Sequence, residues 1–217
     1  TEVEVTREGY APIAGQVGFL FYSGDATYAV LLGARGGGKS MSMAHLVAQL
    51  AANNPRLRIG VVRLDYKKLN NGLIPHLETF LPRRIIERWD RREMYVLLKN
   101  GSRIIFQSEG NTPDDIRSLN VHVSFLDEAR LVDYDTFKNL DFGTRGPYER
   151  DFLVLYNGDE EVRIPYQRRV YLGTSTFVGS WIFHEWELQS TDWVWFEVTA
   201  DDLVAAELRT AEEVQKR

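Results

Sequence analysis

Short, nearly unbroken apolar runs recur along the chain, separated by stretches in which apolar residues return every three or four positions. Runs of the first kind suit strands buried on both faces, and the second spacing suits amphipathic helices. The runs at 28–32, 59–64, 121–126 and 170–173 read as strands. Helical spacing follows the first (Met41, Ala44, His45, Val47, Ala48) and should stop near Asn53-Asn54-Pro55. Leu69, Leu73, Leu77 and Phe80 predict a helix over 66–80 that Pro75 kinks, and 85–89 reads as another short helix. Residues 95–98 and 103–107 flank Asn100-Gly101, which suits a type I′ hairpin turn. A second hairpin is expected from 152–156 and 162–165 around Asn157-Gly158. Residues 133–140 read as a helix capped by Asp133, residues 1–27 as an irregular lead-in, and an acidic amphipathic helix begins near 201. Strands alternating with helices predict an α/β fold, a mostly parallel sheet with helices on both faces and antiparallel hairpin additions.

The 217 residues suit one large α/β domain with a small appendage, and 44% apolar content is ordinary for a packed core. The chain has no cysteine, which excludes disulfides and Cys-ligated zinc and fits a reducing compartment. No apolar run approaches the roughly 20 residues that span a bilayer, so no membrane partner is expected. No signal peptide is visible, and the chain opens on Thr1 rather than Met, as a processed chain or a fragment would. Net charge is −5, yet residues 56–103 hold 12 Lys/Arg against 5 Asp/Glu, and from 185 onward there are 9 acidic and 3 basic residues. A polyanion would meet the middle segment and avoid the tail.

The candidate chemistry begins at the first strand. It ends in Gly33-Ala34-Arg35-Gly36-Gly37-Gly38-Lys39-Ser40, the G-x-x-x-x-G-K-[ST] phosphate-binding loop in its strand–loop–helix setting. Gly33, Gly36, Gly37 and Gly38 let the backbone turn its N–H groups inward, and the helix opening at Lys39 and Met41 adds a positive dipole end. Lys39 would reach the β- and γ-phosphates of ATP, and the Ser40 hydroxyl would ligate Mg²⁺. A second constellation ends the strand at 121–126, where Asp127 is placed to hold Mg²⁺ and Glu128 to orient and deprotonate the attacking water. An acidic base directly after the aspartate favours an ATPase, and no Asn-Lys-x-Asp guanine-selecting motif is present. Thr174, Ser175 and Thr176 end the last strand, where parallel sheets bind ligands. They would sense the γ-phosphate, or simply be hydroxyls where a strand becomes a loop. The four histidines have no metal-ligand spacing.

These residues together resemble the ATPase domain of the large terminase subunit of tailed bacteriophages, the motor that packages DNA. The resemblance rests on the phosphate loop with an internal arginine and on Pro113-Asp114-Asp115-Ile116-Arg117-Ser118-Leu119. It continues through Val-Ser-Phe-Leu-Asp-Glu-Ala, Gly-Thr-Ser-Thr, and Gly179-x-Trp181 with its Trp-rich sequel. It implies a P-loop ATPase core over 1–176 and a lid subdomain over 177–217, without the C-terminal nuclease of full-length members. Lys39, Ser40 and Arg35 match Walker A, Asp127 and Glu128 match Walker B and the catalytic glutamate, and Thr174–Thr176 the coupling motif. Arg117 matches the arginine proposed to enter a neighbour's site as a finger, typically worth roughly 10³–10⁵ in rate. Gln16 matches an adenine-contacting glutamine or is a plain polar loop residue. Implied partners are double-stranded DNA, further copies in a ring of five on the portal, the portal protein and the small terminase subunit. The implied location is the host cytoplasm, docked transiently on the procapsid.

Arg83, Arg84, Arg88, Arg91 and Arg92 cluster around Trp89 and would contact DNA phosphates without reading sequence, or form a solvated helix face pairing with Glu87, Asp90 and Glu93. Two rival functions remain at this level: a DExD/H-box helicase core domain, and a nucleotide-dependent DNA-binding scaffold without turnover. The intact Glu128 argues against the second.

Overall fold

The computed structural model describes residues 10–34, 36–110, 113–175 and 180–205. In chain order the elements are α1 (Ala14–Leu20), β1 (Tyr28–Gly33), α2 (Lys39–Asn53), β2 (Arg58–Arg63), α3 (Tyr66–Asn71) and α4 (Leu73–Phe80). Then come β3 (Ile86–Asp90), β4 (Tyr95–Leu98), β5 (Arg103–Ser108), α5 (Pro113–Arg117), β6 (Val123–Asp127) and α6 (Tyr134–Gly143). The last are β7 (Phe152–Asn157), β8 (Glu160–Pro165), β9 (Arg169–Thr174), α7 (Trp181–Leu188), β10 (Trp193–Val198) and α8 (Ala200–Ala205).

Eight strands form one sheet in the order β10-β1-β9-β6-β2-β5-β4-β3. The first six are parallel, and β4 and β3 extend the sheet antiparallel. Each of the four expected apolar runs is a strand in the interior of this sheet. Alternate side chains divide between two cores, as a doubly covered sheet requires. Ala29, Leu31, Phe125 and Tyr171 pack with Phe19 of α1 and Met43, Leu46 and Leu50 of α2. Val30, Val62, Leu126 and Leu172 pack on the other face with Phe137 and Leu140 of α6 and Ile182 of α7. Burial of α2 is tight enough that a Cβ on Gly173 would lie 2.4 Å from the Met43 sulfur. β9 inserts between β1 and β6, so Leu32 pairs with Thr174 and Asp127 with Gly173. That register brings the ends of the two motif-bearing strands to one rim of the sheet.

Several local expectations are corrected. Residues 85–89 are not a helix: a single 3₁₀ turn over Arg83–Ile85 leads into β3, which pairs with β4. The ladder (Trp89 with Val96, Asp90 with Tyr95) satisfies backbone groups that so short a helix would leave open. The helix expected over 66–80 breaks at Gly72, not at Pro75. The Arg63 guanidinium fills the place of a side chain there: a Cβ on Gly72 would sit 2.1 Å from Arg63 Nη1. Pro75 is third in α4, within the first turn, where a missing N–H costs little.

The Asn100-Gly101 hairpin forms, but among its turn residues only Gly101 has positive φ, +84°. Gly101 N bonds Leu98 O at 2.9 Å, the pattern of a type I turn closed by a left-handed glycine rather than type I′. The Asn100 amide instead caps α2, donating to Ala51 O and Ala52 O at 2.8 and 2.9 Å. Asp133 precedes α6 without a side-chain cap bond, and Glu109 accepts from Asp133 N at 2.6 Å. In the stretch expected to form a lid, β10 is a strand of the main sheet beside β1.

The β7–β8 hairpin pairs only with itself. Two buried amides of α2 and its end hold it: Asn54 bonds Val154 O and N at 2.9 and 2.8 Å, and Gln49 bonds Tyr156 O and N at 2.8 and 2.7 Å. Among the described residues no helix is long and apolar enough to cross a membrane.

His45 lies inside this layer, its ring 4.9 Å from that of Tyr10 and 5.0 Å from that of Phe80. Burial pushes its pKa down to about 4. The folded protein therefore keeps a neutral ring where the unfolded chain takes up a proton near pH 6.5. The contribution of His45 to stability is full above that pH, falls as pH drops toward 4 and levels off below. Urea unfolding at pH 7 and pH 4.5 should differ by roughly 2 kcal/mol less in His45→Leu than in the wild type.

Candidate functional site

β1 must turn back sharply to feed α2, and left-handed glycines at Gly36 (φ +81°) and Gly38 (φ +72°) make the turn. A side chain at Gly38 would also press on the Gln16 amide, 2.8 Å away. Gln16 is only 4% exposed; its Nε2 donates to Gly37 O at 3.0 Å and its Oε1 accepts from Ile13 N at 3.1 Å. It braces the loop from α1. Lys39, 6% exposed, folds over the loop and donates from Nζ to Gly33 O at 2.8 Å and Ala34 O at 3.0 Å. Burial lowers its pKa, with Glu128 and Asp127 pulling the other way. Met41, next in the first turn of α2, packs half-buried against the core. Arg35 lies outside the described residues.

β6 delivers Asp127 to the same point. Its carboxylate is 1% exposed and accepts from Ser40 Oγ, 3.1 and 3.2 Å from its two oxygens. Arg63, at the end of β2, sets Nη1 3.1 Å from Asp127 Oδ2. Burial raises the Asp127 pKa, and Arg63 opposes that rise most. Glu128 follows in the left-handed region, φ 56° and ψ 48°. This backbone is uncommon for a residue with a Cβ, and such strain gathers at functional sites. Its carboxylate faces Arg130, Nε to Oε2 at 3.8 Å. Thr174, fully buried at the end of β9, accepts from Arg130 N at 3.2 Å. The hydroxyl of β9 thus holds the backbone two residues beyond Glu128.

The structure brings together Gly33, Gly36, Gly37, Gly38, Lys39, Ser40, Asp127, Glu128 and Thr174. Ser175 follows half-buried, and Thr176 lies outside the described residues. Arg117 is elsewhere: at the end of α5 its guanidinium lies 4.2 Å from the centre of the Phe142 ring, and Arg145 covers the same ring at 4.5 Å. The five arginines around Trp89 surround β3 and the turns at its ends, at the far edge of the sheet. Three engage carboxylates (Arg88 with Asp90, Arg91 with Glu78, Arg92 with Glu93), and Arg91 also stacks on Trp89 at 4.5 Å. Arg83 and Arg84 are exposed in the preceding turn. They form a strand-edge cluster, not a helix face.

Sequence reading missed Arg63. The available signal was a charge closing an otherwise apolar strand at 59–64, the same pattern that drew attention to Asp127. Ser40 and Asp127 offer hard oxygen donors that fit Mg²⁺. Among the described residues no group of three or more His, Asp or Glu could hold a metal ion alone.

No family model matches the chain, and no curated protein matches it. Among solved structures, the large terminase of a thermophilic bacteriophage aligns with TM-score 0.70 at 16% identity, over 95% of this chain and 50% of that one. The same phage's protein in complex with ATP-γ-S aligns with TM-score 0.69 at 14% identity, over 94% of this chain and 48% of that one. A variant of the Thermus phage P74-26 large terminase ATPase domain aligns with TM-score 0.67 at 14% identity, over 96% of this chain and 88% of that one. The fold is that of large terminase ATPase domains, and the chain spans about half the length of the thermophilic phage protein.

The left-handed Glu128 yields a separable prediction. Glu128→Gly should relieve backbone strain and raise unfolding free energy by about 0.5–1 kcal/mol, less than the full left-handed cost because glycine also loosens the unfolded chain. Urea unfolding checks it; a destabilised variant would mean that the carboxylate contact with Arg130 outweighs the strain.

Proposed function

We propose that this chain is the motor domain of a phage large terminase, hydrolysing ATP with Mg²⁺ to drive double-stranded DNA into a procapsid. The observation that carries the reading is the convergence of Lys39, Ser40 and Asp127 under a loop of left-handed glycines, with Glu128 next in chain. The shared fold supports it, as does ATP-γ-S in a protein of that fold.

In this reading the loop amides from Gly33 to Ser40, with Arg35, cradle the phosphates. Lys39 exchanges its two carbonyl partners for phosphate oxygens, which costs little because the ammonium is already desolvated and positioned. Ser40 and Asp127 would hold Mg²⁺, whose charge would offset that of the phosphates. Glu128 orients and deprotonates water. Thr174, which accepts the bond from Arg130 N, carries the change outward with Ser175 and Thr176 next in the chain.

Arg117, stacked on an exposed ring at the end of α5, serves a neighbouring copy in a ring of five on the portal. Arg83, Arg84, Arg88, Arg91 and Arg92 face DNA phosphates. The small terminase subunit and portal are the other partners, and the work is done in the host cytoplasm.

Lys39→Ala should remove ATP binding in a titration calorimeter; unchanged affinity would refute the loop assignment. Glu128→Ala should bind ATP yet lose at least about 10²-fold in turnover, read by phosphate release. Mixing Glu128→Ala with Arg117→Ala protein in assembled rings should recover part of the lost hydrolysis, because each variant supplies what the other lacks. Absence of recovery would place the arginine in cis or outside the reaction.

A further inference from the structure

The Arg63–Asp127 pair is the strongest feature that the proposed function leaves unused. Arg63 closes β2, directly beside β6, where Val62 pairs with Leu126. Its side chain is 13% exposed and Asp127 is 1% exposed, so the pair sits away from bulk water. Nη1 does two jobs: it lies 3.1 Å from Asp127 Oδ2 and donates to Lys68 O at 2.9 Å. That carbonyl belongs to the last turn of α3, and Gly72 follows, with no room for a side chain against the same nitrogen. Nε is buried without a hydrogen-bond partner. A buried cation with one donor unused is incompletely satisfied, as expected of a group that changes partners.

We propose that Arg63 is a stand-in cation: it neutralises Asp127 while no metal is bound and yields that carboxylate when Mg²⁺ arrives with nucleotide. This rests on the reading of Ser40 and Asp127 as the metal ligands. A buried carboxylate left alone would be costly, so something must balance it through each cycle of metal loss. Arg63 does so from a neighbouring strand. The same guanidinium touches the α3–Gly72–α4 elbow, so its release from Asp127 is felt where α4 leads to Arg83 and β3. Arg63 is a positioning residue, since it acts on the metal ligand and touches no reacting atom.

Two variants break the clasp differently. Arg63→Gln removes the charge. Gly72→Ala keeps the charge but places a methyl group where Nη1 now sits. The free Arg63→Gln protein should melt roughly 5–10 °C lower than wild type, and millimolar MgCl₂ alone should restore part of that loss while barely moving wild type. In both variants the factor by which Mg²⁺ tightens ADP binding, measured by calorimetry with Mg²⁺ and with EDTA, should grow on the order of tenfold, because the metal no longer displaces a cation. An unchanged or smaller Mg²⁺ factor in both variants overturns the proposal. If Arg63→Gln does not fold, the Gly72→Ala titration decides alone. Wild-type ADP binding that ignores Mg²⁺, or that survives Lys39→Ala, would instead sink the nucleotide-site reading and leave Arg63 a structural ion pair.

Discussion

A buried carboxylate governs this structure. Asp127 sits at the end of a strand covered on both faces, where an unbalanced charge would be costly. Two separate elements answer it: the start of α2, through the Ser40 hydroxyl and the Lys39 charge nearby, and the end of β2, through Arg63. Each depends on the sheet order. β9 separates β1 from β6 by one strand, and β2 lies immediately beyond. Hydroxyl and guanidinium therefore reach the carboxylate from opposite sides.

The same rim explains how a local event can reach distant surfaces. Thr174 holds the main chain just beyond Glu128, and Gly173 lets α2 press onto β9. Glu109, at the end of β5, takes the first free amide of α6 through Asp133 N. α6 in turn packs against α5, which ends in Arg117. Strand ends, helix starts and the guanidinium-bearing surface are thus joined by short steps, each made by a named side chain or a packed helix pair.

What was legible in the residues followed from how far each constraint reaches along the chain. The glycine turn between β1 and α2 is written in adjacent residues, since left-handed backbone favours glycine wherever it occurs. Asp127 was legible because a carboxylate ending a continuous apolar run has few explanations. Features set by distant partners were not. The helix break falls at Gly72 because a guanidinium from β2 occupies that space, while Pro75, the visible breaker, sits where proline does no harm. The segment at 85–89 is a strand because β4 offers a ladder, which local spacing cannot reveal. Asn100 was correctly tied to a hairpin for an incomplete reason: its amide serves the end of α2. Gln16 drew attention as a base contact, but its amide is bonded to main chain on both sides. Arg63 was passed over because a cation at a strand end looks like any solvated residue until its partner is seen.

The stacking of Arg117 and Arg145 on the Phe142 ring has its own consequence. Phe142 is 43% exposed, an unusual place for a bare ring, and two guanidinium groups cover it. Long cationic side chains normally sweep many rotamers in water, and an encounter with an anionic partner would have to freeze that motion. Here the ring has already narrowed the sweep. Whatever anionic surface meets this face finds its cations held in place, and the entropic toll of association is correspondingly smaller.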